Sequence, residues 1–183
     1  VSHYSNQSAG KTASVLNFIA TIVFSILLLI YLSLTVYTKD ALWFYPIFNA
    51  QPSTGLIRCY GEEILLTQPS AHLTAITQLV NEQISGDKRW SELNLSDPTL
   101  EDYQTNPRMI ILELYYDTPQ RIHSFSPFFS NFDALLIPLD GRYADEHILF
   151  NLIRNKPGGG SFHVNDFTPV LNYIDEQALC KRQ

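Results

Sequence analysis

The sequence predicts an α+β protein: one N-terminal transmembrane helix, then a small, mostly antiparallel sheet domain with two main helices. Three observations carry this expectation. Residues 15–36 are uncharged and predominantly apolar, the rest of the chain breaks into short strand-like runs bounded by turn residues, and only two stretches of that rest carry a long helical stripe. Of the 183 residues, 16% are charged, well under the roughly 25% usual in soluble domains. The shortfall has a local source. No charged residue lies between Lys11 and Lys39, and every Asp and Glu stands at Asp40 or later.

These boundaries divide the chain into a tail (1–13), a span (14–38), an interfacial collar (39–54) and one soluble domain (55–183). The run from Val15 to Val36 would reach about 33 Å as a helix, enough for a hydrocarbon core of about 30 Å. A cleavable signal peptide has a shorter apolar region behind a basic start. Here only Lys11 precedes the run and the chain continues Tyr-Thr-Lys-Asp after it, which favours an uncleaved signal anchor. Lys11 and Lys39 nearly balance across the span. The short tail then favours a cytoplasmic N-terminus and an extracytoplasmic (periplasmic) domain in the cell membrane. Asn17, Thr21 and Ser25 recur every four residues, a polar stripe that suits packing against a partner helix. For the hydroxyls alone, bonding back to their own helix carbonyls is the simpler expectation. Tyr37, Trp43, Phe44 and Tyr45 are the residue types that settle at headgroup level.

In the domain, residues 56–60 and 64–67 read as a hairpin around Gly61-Glu62-Glu63, with both glutamates in the turn. Ser70 caps a helix to about Ser85 with Leu73, Ile76, Val80 and Ile84 inward. Asp97-Pro98 opens a short helical turn. Met109–Tyr116 reads as a central strand, ended by a turn at 117–120. Ala134–Leu139 is a strand whose Pro138 end belongs at an edge. His147–Ile153 and Ser161–Val164 are shorter strands. Thr168-Pro169 starts a last helix with Val170, Leu171, Ile174 and Ala178 inward.

The net charge is −6. An acidic domain of this kind is repelled by phosphate backbones, which disfavours nucleic acid, and no nucleic-acid partner is expected. Lys156-Pro-Gly-Gly-Gly-Ser161 lacks the order of a phosphate-binding loop and reads as a surface turn between strands. Asp145-Glu146-His147 and His163-Val-Asn-Asp166 could converge on a metal, but no ligand spacing requires it, so no metal and no cofactor are expected. No nucleophile elbow is present, and the chain itself is expected to be non-catalytic. Cys59 and Cys180 match no metal or redox motif. An oxidising compartment would permit a bridge, while two buried unlinked thiols are the simpler expectation. Phe125, Phe128, Phe129 and Phe132 crowd a segment broken by Pro127. They either close the domain's own core or form an apolar patch for a partner protein.

Two functions follow as expectations. One is a structural accessory subunit of a multi-subunit membrane complex, held by helix packing, the lipid bilayer and contacts with extracytoplasmic subunits. The other is a membrane-tethered sensor or ligand-binding module. The layout of a single span at Val15–Val36, an aromatic collar at Trp43–Pro46 and a cofactor-free domain is similar to small accessory subunits of bacterial electron-transfer complexes such as alternative complex III. That resemblance implies contact surface from this chain, with respiratory or photosynthetic electron transfer left to its neighbours.

Overall fold

A computed structural model describes residues 7–180, with side chains from residue 14. The expected tail with its Lys11 and His3 therefore lies outside the described side chains. The first helix, α1 (Gln7–Thr38), contains a 25-residue stretch, Ser14–Thr38, that is long and apolar enough to cross a membrane. From Val15 to Tyr37 its apolar side chains are exposed, save the half-buried Leu34.

The rest is an α+β domain around one seven-stranded antiparallel sheet. The elements follow as β1 (Thr54–Cys59), β2 (Glu62–Thr67), α2 (Ala71–Ser85), β3 (Arg89–Ser91), α3 (Asp97–Thr105), β4 (Ile110–Gln120), β5 (Phe132–Asp140), β6 (Ile148–Ile153), β7 (Lys156–His163) and α4 (Thr168–Glu176). In space the strands run β2-β1-β4-β5-β6-β7-β3. Alternation along the strands divides the core between two faces. Ile110, Leu112 and Leu114 of β4 meet Leu73, Ile76 and Val80 of α2 and Val170 and Ile174 of α4 in one cluster. Ile111, with Leu136 and Phe150, meets Leu100 and Tyr103 of α3 in the other. Ser70 caps α2 as its sequence implies, its hydroxyl accepting from the Leu73 N–H.

Several expectations are corrected. The β1–β2 turn is Tyr60-Gly61, both with positive φ, so Glu62 and Glu63 belong to β2. β4 does not turn at 117 but continues to Gln120. The Lys156–Ser161 run is strand rather than turn. The turn before it is Arg154-Asn155, again with positive φ at both residues. Pro138 is not in an edge strand, since β5 is the middle of the seven. The β5–β6 ladder ends at Leu136, so on that side the Pro138 ring faces no partner strand. The turn expected at Asp97 is a third helix of nine residues, and Ala178 lies exposed beyond the end of α4. Cys59 and Cys180 are not unlinked. They form a disulfide with a Cα–Cα distance of 5.5 Å, fastening the end of β1 to residue 180.

Candidate functional site at the foot of the apolar helix

Thr38 ends α1 with its hydroxyl bonded back to the Leu34 carbonyl, and Lys39 leaves the helix with φ 54. Asp40 follows and is buried. One carboxylate oxygen accepts from the Leu42 N–H at 2.9 Å, and the other lies 2.7 Å from His123 Nδ1. Arg121 adds a hydrogen bond of 2.7 Å to the Lys39 carbonyl and stands 3.7 Å from the same carboxylate. Two residues just past β4 thus hold the chain where it leaves α1.

The segment expected as a collar or linker, 39–54, is stitched to the domain along its length. Lys88 Nζ donates to the Pro46 carbonyl, and Ser85 both donates to and accepts from the Phe48 backbone. Asn81 donates to the Ala50 carbonyl, and the Ser53 N–H to that of Tyr115. Phe48 itself is part of the core. The segment that joins helix and domain is therefore held against the domain rather than free.

The two aromatic groups of the sequence meet here. Trp43 packs on Phe125 with ring centroids 4.5 Å apart, and Phe44 meets Trp43 edge-on. Phe128 stacks on Trp90 at 5.3 Å, 19° from parallel. Between these pairs opens a groove of about 730 Å³, lined also by Tyr37 and Phe162, with Asp87, Lys88 and His123 among its ionisable groups. Its volume falls within the range of small-molecule sites. The glycine run lies behind two of the lining rings. A Cβ on Gly160 would stand 2.1 Å from the Trp90 ring, and one on Gly159 3.2 Å from Phe128. Both glycines also have positive φ, so the two rings lie directly on a backbone that only glycine adopts with ease. The Lys88 pKa is lowered by burial, against the attraction of Asp87.

The four phenylalanines divide. Phe129 and Phe132 are fully buried in the core, which corrects their expected place on a partner surface, while Phe125 and Phe128 are 60% and 48% exposed. Tyr37, Phe44 and Tyr45 are exposed and Trp43 is half-buried. On α1, the Thr21 and Ser25 hydroxyls donate to the Asn17 and Thr21 carbonyls, the local bonding that hydroxyls in helices commonly choose. All three stripe residues remain exposed. The two His-acid segments do lie side by side, but as separate pairs: His147 near Asp166 at 3.6 Å and His163 near Glu146 at 3.9 Å. Among the described residues no three His, Cys, Asp or Glu could share a metal ion.

Sequence reasoning missed Trp90 and Lys88, which sit on no motif. It also missed Glu113, a fully buried carboxylate in β4. Arg58 Nε donates to it at 3.0 Å and Gln104 Nε2 at 3.1 Å, and the Tyr115 hydroxyl donates as well. Arg58 also pairs with Glu63. Burial opposes the Arg58 charge, but the bond and attraction to Glu113 outweigh it and its pKa rises. This network lies beneath α3 and joins that helix to the sheet. The alternation of β4 puts a polar residue on a buried face there, which was the available signal. Comparison with protein-family models, with curated proteins and with solved structures returned no match.

Proposed function

We propose that the chain is a non-catalytic, single-span accessory subunit of a multi-subunit membrane complex, with its domain outside the cytoplasm and resting on the bilayer surface. The rigid junction carries this reading. A tethered module that searches for its target gains from a loose linker, whereas residues 39–54 are hydrogen-bonded to the domain from Arg121 to Asn81. A fixed angle between span and domain suits a subunit that touches neighbours both within and above the membrane. The Cys59–Cys180 bridge supports an oxidising compartment for the domain. The similarity in layout to small subunits of bacterial electron-transfer complexes extends the proposal to a chain that contributes contact surface beside redox subunits.

The test is photo-crosslinking from single positions along α1 in native membranes. Probes at Asn17, Thr21 and Ser25 should capture one membrane protein, while Ile19 and Ile26, on the opposite face at 3.6 residues per turn, should capture lipid only. Equal capture from both faces, or none from either, would remove the complex. A second reading, a membrane-tethered ligand-binding module, is favoured by the groove between Trp43 and Phe128.

A further inference from the structure

We infer that the groove at the foot of α1 is a lipid site. It takes one acyl chain of an anionic phospholipid from the adjoining leaflet, with the phosphate beside Lys88. The inference rests on the reading of α1 as a membrane span.

Position is the first argument. Tyr37, in the last turn of α1, and Trp43 and Phe44 just beyond it, line the groove. The groove is therefore continuous with the span's own lipid-facing surface and begins where hydrocarbon gives way to headgroups. The clamp of Arg121 and His123 on residues 39 and 40 holds it at that level.

The second argument is chemistry. Trp90 and Phe128 are ordered by stacking on each other and on the glycine backbone, yet each keeps more than two-fifths of its surface exposed. The lining is concave and more apolar than polar, the character of a site that takes an apolar group. A hydrocarbon chain fills a furrow of ring faces without asking for hydrogen bonds.

The third is charge. Lys88 donates to the Ile84 carbonyl at 2.8 Å and to the Pro46 carbonyl at 3.2 Å. An ammonium has three donors, so one remains for a headgroup oxygen. An apolar furrow with a cation in its wall matches an amphiphile with a negative head, and the acidic domain offers few other places for one. Asp87 lines the same groove, and its attraction partly offsets the burial that lowers the lysine's pKa.

The chain has two tryptophans, and this makes the test direct. The full-length chain carrying Trp43→Phe, with Trp90 as sole reporter, is reconstituted into phosphatidylcholine vesicles with or without phosphatidylglycerol, the acyl chains brominated. Trp90 should lose most of its emission, more so when the brominated lipid is phosphatidylglycerol, and Lys88→Gln should abolish that preference. Flotation of the vesicles reports separately on the span. If the chain floats and Trp43 in the Trp90→Phe variant is quenched while Trp90 is not, the groove holds no lipid and a protein segment covers it. Quenching of Trp90 that ignores both headgroup and Lys88→Gln would reduce the site to general surface contact and overturn it. A chain that fails to float would overturn the span, and the lipid site with it.

Discussion

His123 Nδ1 lies 2.7 Å from the Asp40 carboxylate, joining residues 83 apart in sequence. Because a carboxylate only accepts, this ring nitrogen carries the proton. Asp40 also receives the Leu42 N–H and faces Arg121, so it is one group at which the end of α1, the segment after it and the residues past β4 meet. Asp40→Ala should cost about 2 kcal/mol, the worth of hydrogen bonds to a charged group. It should also expose the Lys39–Asp40 bond. Trypsin should cut after Lys39 much faster in the variant, and the domain's melting temperature should fall. Unchanged cleavage would mean that the aromatic contacts of Trp43 suffice to hold the junction.

The disulfide gives a prediction about stability and topology together. Cys59 and Cys180 close a loop of 121 residues, and constraining the unfolded chain over such a loop is worth about 4 kcal/mol. Cys59→Ser with Cys180→Ser should shift the denaturant midpoint sharply downward, and reductant should do the same to the natural chain while leaving the double variant unchanged. In whole cells, alkylation of the natural chain should require prior reduction. Free alkylation without reductant would place the domain in the cytoplasm.

Three tyrosines should make the domain sensitive to alkali. Burial pushes the Tyr103 phenol up to about 12 and raises Tyr116 likewise. Tyr115 is raised by burial first and then by its bond to Glu113. Folded pKa values above the unfolded value of about 10 contribute stability that is complete below pH 10. That stability is lost as pH rises from there through the folded values. Far-ultraviolet circular dichroism and phenolate absorbance should therefore change together in a cooperative step above pH 10. Ionisation of all 10 tyrosines near pH 10 without loss of structure would contradict this.

The glycines behind Trp90 and Phe128 offer a separate check. Gly160→Ala forces a Cβ into the Trp90 ring at a position of φ +69, so the ring must leave its stack on Phe128. In the Trp43→Phe background, Trp90 emission should shift to the red, while Gly61→Ala, far from the groove, should leave it in place. An unmoved spectrum in Gly160→Ala would show that the ring is not seated on that backbone.

Much of the fold was legible because periodicity reports burial. The stripe Leu73, Ile76, Val80, Ile84 and the run Ile110–Leu114, apolar but for Glu113, have one good reading each. What escaped were features set by contacts distant in sequence. Arg89–Ser91 is a three-residue strand that exists because it pairs with Ser161–His163, and three residues show no period. The Gly158–Gly160 run looked like a turn because glycine favours turns, yet here the missing side chains admit Asn151, Phe128 and Trp90. The site was visible only in halves. The aromatic collar and the phenylalanine segment each stood out, but no local signal says that Trp43 and Phe125 touch. Nor does spacing separate Phe128 from Phe129, since neighbouring residues point opposite ways and only the surrounding fold says which way is in.

That last pair supports the sharpest prediction. Phe129 packs on Phe162 at 4.5 Å and on Phe132 at 6.0 Å, with none of its surface exposed. Phe129→Ser removes a buried ring and leaves a hydroxyl in its cavity. Truncations of buried phenylalanine cost about 3–5 kcal/mol, a large share of the roughly 5–15 kcal/mol that holds a domain folded. Phe125 and Phe128 differ because each packs on one aromatic neighbour and keeps about half of its surface exposed in the lining of the groove. Phe125→Ser with Phe128→Ser should lower stability by about 1–2 kcal/mol, the order expected from aromatic pair contacts, and keep the native circular dichroism spectrum. The folded double variant should lose Trp90 quenching by brominated lipid, while the Phe129→Ser chain should be recovered unfolded or aggregated. If the double variant unfolds as completely as Phe129→Ser does, the groove walls are core after all, and the aromatic face at the foot of the helix is not available to any ligand or partner.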